Sequence, residues 1–121
     1  MITTESISVI KLRDILLVSM PSDPDDAMIQ SLQDRVLHSM ERFTARGLVL
    51  DISAVEIMDS FFARTVVETA RMVQLMGGRT IISGMRPAVA ITATQLGLSL
   101  HQVETALDLY RAVDTLQGAP R

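Results

Sequence analysis

Short apolar runs, each too brief for a helix, alternate along this chain with longer segments whose apolar residues recur every three or four positions. Residues 7–12 and 15–20 form two such runs separated by only two residues, a spacing that predicts a hairpin of antiparallel strands. Residues 48–52 and 80–83 are further, mostly apolar runs, as expected of strands covered on both faces. The alternation predicts an α/β fold with a mixed, mostly parallel sheet.

The first helix is predicted to follow the hairpin. Residues 22–26, Ser-Asp-Pro-Asp-Asp, offer a cap, a proline for the first helical position and two acids that the helix dipole favours. The pattern extends to Thr44. Apolar residues at helical spacing then predict one buried stripe: Met28, Leu32, Val36, Met40 and Phe43.

Three more helices and a short strand complete the prediction. A helix is expected to begin at residues 59–60 and to end before the glycine pair at 77–78, and another to span residues 87–97, between a proline and a glycine. A short strand at residues 98–100 and a last helix at 103–116 follow. The expected fold therefore has about five strands, with the N-terminal hairpin, and about four helices.

Composition narrows the class of protein. A chain of 121 residues can bury one core, so residues 1–121 are predicted to form one domain. The net charge of −3, with basic residues scattered, argues against nucleic-acid binding. Cysteine is absent, which excludes disulfides and thiolate chemistry. The N-terminus lacks a signal-peptide pattern and no apolar run approaches the ~18 residues of a membrane span, so a cytoplasmic protein without membrane partners is expected.

Catalytic motifs are missing from the sequence. The histidines, His38 and His101, lie in no recognisable nucleophile or metal motif, and there is neither a Gly-rich phosphate loop nor a dinucleotide fingerprint. We expect no enzyme activity, no metal and no cofactor. A hydrolase or transferase with Ser60 as its nucleophile is an alternative, and it would need a nearby base.

A phosphate-accepting receiver module is a second alternative. Asp51 and the acids at 25–26 offer the carboxylates that such a module needs. Its chemistry also requires a lysine from a late strand, whereas the only lysine of the chain is Lys11, in the first predicted strand. The sequence therefore favours a different class.

One segment carries a family resemblance. Residues 49–62, Val-Leu-Asp-Ile-Ser-Ala-Val-Glu-Ile-Met-Asp-Ser-Phe-Phe, resemble the signature of STAS domains, the sulfate-transporter and anti-anti-sigma-factor family. There, a strand ending in Asp-Leu-Ser-like residues leads to an Asp-Ser pair that opens a helix. The resemblance covers nearly the whole chain, including residues 75–78 and 83–87. It implies that the chain is a single STAS domain.

The residues after the Asp-Ser pair point to a subgroup. The commoner family pattern is Asp-Ser-Ser-Gly or Asp-Ser-Thr-Gly, whereas here Phe61 and Phe62 replace the second hydroxyl and the glycine. An Asp-Ser-Phe sequence is similar to the RsbS type, the scaffold protein of the stressosome. Residues 104–109 also resemble that type.

The resemblance implies a function by partner switching. A scaffold and antagonist of this type holds an RsbT-type switch kinase and releases it when the serine that matches Ser60 is phosphorylated. It also implies RsbR-type STAS co-scaffolds, an RsbX-type phosphatase, and a homo-oligomer or large hetero-assembly that regulates a stress or sigma-factor pathway. An anti-anti-sigma factor that binds an anti-sigma kinase directly is the alternative function. Local chemistry alone favours a helix cap as the role of Ser60, and it is the resemblance that implies phosphorylation.

The helix that begins here predicts a partner surface. At ~100° per residue, one side should pack on the sheet: Phe62, Val66, Ala70, Val73 and Gly77. The outer side carries apolar residues that would be exposed: Phe61, Met72 and Leu75, alongside Arg64, Glu68 and Arg71. With Asp59 and Ser60, this outer face is predicted to contact the kinase.

Ser83 is a second, weaker candidate for phosphorylation. A hydroxyl residue precedes the corresponding Gly-x-x-Pro turn in related scaffold proteins, and Ser83 occupies that position here. The alternative is a strand-end serine whose hydroxyl bonds to the following turn.

Overall fold

Five strands form one mixed sheet in the computed structural model, which describes residues 7–98 and 103–118. They are β1 (Ser8–Leu12), β2 (Ile15–Ser19), β3 (Gly47–Asp51), β4 (Arg79–Ser83) and β5 (Glu104–Ala106), and they pair in this order. β1 is antiparallel to β2, and the other three pairings are parallel. The predicted hairpin and the mixed, mostly parallel sheet are confirmed.

Four helices cover the sheet within the described part of the chain. They are α1 (Asp26–Phe43), α2 (Ser60–Leu75), α3 (Pro87–Gln95) and α4 (Leu109–Gln117). Successive strand residues point to opposite faces, so Leu48 and Leu50 join the core beneath α1, α2 and α3, whereas Val49 packs with Ala112 of α4. The α/β prediction with about four helices is confirmed.

The parallel register places polar residues side by side where the strands end. Asp51 is opposite Ser19 on β2 and Ser83 on β4, and Ser83 is in turn opposite Ala106 on β5. The chain leaves β3 at this edge and reaches α2 through residues 52–59. The edge therefore sets the position of the segment that carries the predicted phosphosite.

The start of α1 differs from the prediction. Its N-cap is Asp25, which follows Pro24: the backbone of Asp25 is extended and its carboxylate accepts a hydrogen bond of 2.8 Å from the Met28 N–H. A carboxylate three residues before that N–H satisfies an otherwise unpaired donor. Pro24 therefore lies before the helix rather than at its first position.

The buried stripe of α1 is also shifted. Ile29, Leu32, Val36 and Met40 are buried, while Met28 is half-buried at the margin of the core. Phe43, predicted to be buried, ends the helix with an exposed ring that has the Lys11 Nζ 5.8 Å and the Arg42 Cζ 5.3 Å from its centroid.

The last strand lies later in the chain than predicted. Leu98 belongs to no strand, and residues 99–100 lie outside the described residues. β5 instead occupies positions assigned to the last helix, which begins only at Leu109 with Asp108 as its cap. The Arg79 guanidinium donates hydrogen bonds of 3.0 and 2.5 Å to the carboxylate of Glu104 on β5, and these bonds raise the pKa of Arg79.

No helix within residues 7–98 and 103–118 combines the length and the apolar character that crossing a bilayer requires.

Candidate functional site

Asp59 forms the cap at the start of α2. Its backbone is extended, its Oδ1 accepts a hydrogen bond of 2.8 Å from the Phe62 N–H, and its carbonyl accepts one of 3.0 Å from the Ala63 N–H. Ser60 is the first helical residue. The alternative that Ser60 is a helix cap is therefore wrong, because Asp59 already satisfies the donor that a capping side chain would bind.

The Ser60 side chain is exposed, and among the described residues its hydroxyl makes no hydrogen bond. His38 lies in α1 and borders a shallow depression with Met76, which follows the C-terminal end of α2, far from Ser60. The Nδ1 of His38 forms a hydrogen bond of 2.9 Å with the Asp34 carbonyl. A helix of 16 residues is about 24 Å long, so His38 is not a base for Ser60. His101 lies outside the described residues. The geometry leaves the Ser60 hydroxyl free for modification.

The inner face of α2 packs as predicted, with Phe62, Val66, Ala70 and Val73 buried. Gly77 does not belong to it, because the helix ends at Leu75 and Gly77 lies exposed in the following turn. The outer face of α2 is exposed. Its residues, from the start of the helix to its end, are Ser60, Arg64, Glu68, Arg71, Met72 and Leu75. Leu75 is 89% exposed.

Phe61 is not the exposed apolar residue that was predicted. It is half-buried and packs against the main core. The Arg64 Cζ lies 5.8 Å from the centroid of its ring, a distance at which a guanidinium is attracted to an aromatic face. The exposed apolar surface of α2 is therefore confined to its C-terminal end, at Met72 and Leu75.

A groove of about 430 Å³ begins at Ser60. Arg64, Glu68 and Arg71 line it on the α2 side, with apolar contributions from Ala63 and Val67. The opposite wall is formed by residues 96–98, which follow α3. Sequence reasoning missed this wall, since the sequence indicates only a helix end at residues 96–97 and the start of a strand at Leu98. Only the fold brings these residues beside α2.

Ser83, at the end of β4, is fully buried. Its hydroxyl donates a hydrogen bond of 3.0 Å to Asp51 Oδ1 on the neighbouring strand, and the Ser53 hydroxyl donates one of 2.8 Å to Oδ2. The partner of Ser83 is thus a carboxylate and not the following turn. Because a kinase cannot reach a buried hydroxyl without local unfolding, this geometry disfavours Ser83 as a second phosphosite.

The turn after β4 holds the loop that leads to Ser60. Gly84 has a φ of +75°, and a Cβ atom there would lie 2.8 Å from the Ser53 Cβ, so only glycine fits without a shift. The Ile52 N–H donates to the Ser83 carbonyl at 3.0 Å, and Arg86 Nε donates to the Ser53 carbonyl at 2.8 Å. The two segments are therefore packed as one unit beneath the site.

A metal centre finds no support in the described residues. Within 7–98 and 103–118, the His, Asp and Glu side chains form no group of three or more that could hold a metal ion.

The fold and the site define the class of the protein. The family model described as STAS domain matches residues 6–115, which is most of the chain. The protein belongs to the STAS domain family.

Two solved structures are similar to this chain in both sequence and fold. The chain is 34% identical to a serine-to-glutamate variant of RsbS from Moorella thermoacetica, with a TM-score of 0.83, over 93% of this chain and 96% of that one. It is also 34% identical to a chain from a structure described as the molecular architecture of the stressosome, a signal integration and transduction hub, with a TM-score of 0.77, over 91% and 96%.

Curated relatives include the RsbT co-antagonist protein RsbRC of Bacillus subtilis, 30% identical over 114 residues, which are 93% of this chain and 40% of that protein. The chain spans about a third to two fifths of the length of this protein and of the RsbRA, RsbRB and RsbRD proteins that it also matches. It thus matches a part of these proteins and nearly all of RsbS.

Proposed function

We propose that the protein is a stressosome scaffold and antagonist that sequesters an RsbT-type switch kinase and releases it when Ser60 is phosphorylated. The observation that carries the proposal is the 34% identity to RsbS along 96% of its chain. The exposed hydroxyl of Ser60, with its helix already capped by Asp59, supports the choice of residue. A glutamate in place of a serine, as in the solved RsbS variant, resembles phosphoserine in its negative charge.

Phosphorylation of Ser60 would act on binding more than on folding. A phosphate adds about 1.5 to 2 negative charges, and at Ser60 these would lie on an exposed helix start beside the carboxylate of Asp59. The site therefore stays solvated, so the fold tolerates the charge. A partner that docks there meets a concentrated anion, which favours its release.

The proposed partners follow from the relatives. The RsbRC protein is named as a co-antagonist of RsbT, which supports an RsbT-type kinase as the target and RsbR-type STAS proteins as co-scaffolds in a homo-oligomer or large hetero-assembly. A switch of this kind must also be reset, and we assign that step to an RsbX-type phosphatase. In this scheme the chain itself is a substrate and a binding partner, not an enzyme.

The direct test is to incubate the protein with an RsbT-type kinase and ATP and to map the phosphate by mass spectrometry. We expect one phosphate on Ser60, none on the Ser60→Ala variant, and unchanged labelling of Ser83→Ala. A phosphate on another residue, or labelling that survives Ser60→Ala, would contradict the proposed site.

The partner surface is tested by binding to the kinase. Asp59, Ser60, Phe61 and Arg64 lie at the start of α2, and Glu68, Met72 and Leu75 continue its outer side. We expect Phe61→Ala and Arg64→Ala to weaken kinase binding at least several-fold. Tyr110→Ala is the matched control, because Tyr110 is 86% exposed on α4, which covers the other face of the sheet. If all three variants bound the kinase equally well, the outer face of α2 would not be the kinase-binding surface.

Size separates the scaffold from an anti-anti-sigma factor that captures an anti-sigma kinase directly. Mixed with RsbR-type proteins, a scaffold forms a very large particle, whereas the alternative forms a small complex with the kinase. Light scattering after size-exclusion chromatography measures the difference, and a small complex in every mixture would favour the alternative.

A further inference from the structure

We propose that Arg64 is the intramolecular ligand of the phosphate on Ser60, so that modification replaces an arginine–aromatic contact by an ion pair within α2. The inference rests on the proposed function, since it concerns the modified state of Ser60. Residues four apart on a helix are neighbours on its surface, and Ser60 and Arg64 line the same groove. A guanidinium can donate two parallel hydrogen bonds to a phosphate.

Arg64 is available for this role. It is exposed, and among the described residues no carboxylate lies within 4.0 Å of its guanidinium, although four other arginines form such pairs. Its recorded contact is with the ring of Phe61, at 5.8 Å from the centroid. Because Arg64 is exposed and Phe61 only half-buried, water reaches this contact and the guanidinium is held weakly, so a phosphate dianion competes for it effectively.

The neighbours of Ser60 direct the phosphate toward Arg64. Asp59 carries a negative charge on the adjacent residue and already accepts the Phe62 N–H, so the phosphate is repelled there and finds that donor occupied. Arg71, eleven positions along the helix, is about 16 Å away. Glu68 repels a phosphate, and residues 96–98, on the opposite wall, carry no charged side chain.

The phosphate would reverse the formal charge of the groove. Two arginines and one glutamate line it, which gives a formal charge of +1, and a phosphate of about −1.5 to −2 changes the total to about −0.5 to −1. The pair would also draw Arg64 away from Phe61 and leave the outer edge of that ring uncovered. Modification would thus alter both the charge and the apolar surface that a partner meets.

The test uses phosphoserine installed at position 60 during synthesis of the full chain, so it needs no kinase and stands apart from the test of the proposed function. The second pKa of the phosphate is followed by phosphorus NMR in the otherwise unchanged protein and in Arg64→Gln and Arg71→Gln. An ion pair stabilises the dianion, so Arg64→Gln should raise this pKa by roughly 0.3 to 0.7 at low salt. Arg71→Gln is the matched control, because Arg71 is also an exposed arginine that lines the groove. It should change the pKa of the phosphate by about 0.1 or less.

Arg64→Lys gives a second comparison. It keeps the charge but loses the forked donor, so the pKa should lie between those of the unchanged protein and Arg64→Gln. The Arg64 Nε–H resonance should also shift when Ser60 carries the phosphate, and 0.5 M salt should reduce the pKa difference. Equal pKa values for Arg64→Gln and Arg71→Gln, with the Arg64 resonance unmoved, would overturn the inference even if Ser60 is the residue that the kinase modifies.

Discussion

Ser60 begins the helix that follows β3 and Ser83 ends the neighbouring strand β4, yet the fold gives the two serines opposite environments. Ser60 is exposed at the first position of α2, and its hydroxyl has no hydrogen bond within the described residues. Ser83 is fully buried and donates to Asp51. The comparison teaches that the sequence around a serine, whether a helix start or a turn, does not determine its exposure. The Ser60 hydroxyl is accessible to solvent, whereas the Ser83 hydroxyl is buried and hydrogen-bonded to a neighbouring strand.

The largest expected effect separates the two serines by charge. Ser83→Asp would bury a second carboxylate against Asp51, so we expect a loss of about 3 to 5 kcal/mol in the free energy of unfolding, or a failure to fold. Urea denaturation followed by circular dichroism measures it. A loss below about 1 kcal/mol would mean that Ser83 can turn outward, and would make it a candidate phosphosite again.

The next effect concerns the turn that follows Ser83. Gly84→Ala should cost about 2 kcal/mol, because a residue with Cβ is disfavoured at positive φ and would press on Ser53. Gly77→Ala is the matched control: it has a similar φ of +93° but no atom within 4 Å of the added carbon. If both variants lose the same amount, the backbone angle alone accounts for the cost and the two loops are not tightly packed.

A smaller effect tests which residue caps α2. Asp59→Ala should lower the free energy of unfolding by about 1 kcal/mol, since it removes the acceptor of the Phe62 N–H. Ser60→Ala should change it by less than about 0.5 kcal/mol, because that hydroxyl bonds to no described residue. Thermal denaturation of the two variants side by side checks the order, and a larger loss for Ser60→Ala would return the capping role to the serine.

The smallest effect is expected for charge at the exposed serine. Ser60→Asp should alter the free energy of unfolding by no more than about 0.5 kcal/mol, because a carboxylate at an exposed helix start is tolerated. The same urea titration used for Ser83→Asp gives a direct comparison. A large loss at Ser60 would show that its surroundings are less open than the structure indicates.

Much of the fold is visible in the sequence because its strands and helices have strong, local patterns. The apolar runs that became β2, β3 and β4 and the glycine pair after α2 identify their elements without tertiary information. β5 was misplaced because Glu104-Thr105-Ala106 is a short, polar edge strand, whereas Leu98 and Leu100 are the apolar residues that resemble a strand. Its pairing with β4 depends on a neighbour far away in the chain, which no local pattern reports.

The site was predictable in part. The Asp-Ser pair identified the start of α2, but its local chemistry left open which of Asp59 and Ser60 caps the helix; backbone geometry decides this. The exposure of Phe61 could not be read from the helical spacing, because its ring packs at the margin between the inner and outer faces. The burial of Ser83 is likewise a tertiary property, since its hydrogen-bond partner Asp51 lies 32 positions earlier, on the neighbouring strand.

Asp59 caps α2 and Ser60 does not, and this has a consequence for a reversible modification of the serine. Since the helix start is secured by the aspartate, adding or removing a group on the serine need not pass through partial unfolding. In the proposed scheme, neither state is then trapped by the fold, and the proportion of phosphorylated molecules would follow the opposing rates of the kinase and the phosphatase. In that scheme, such a chain would report the balance of the two enzymes, because neither reaction requires α2 to unfold.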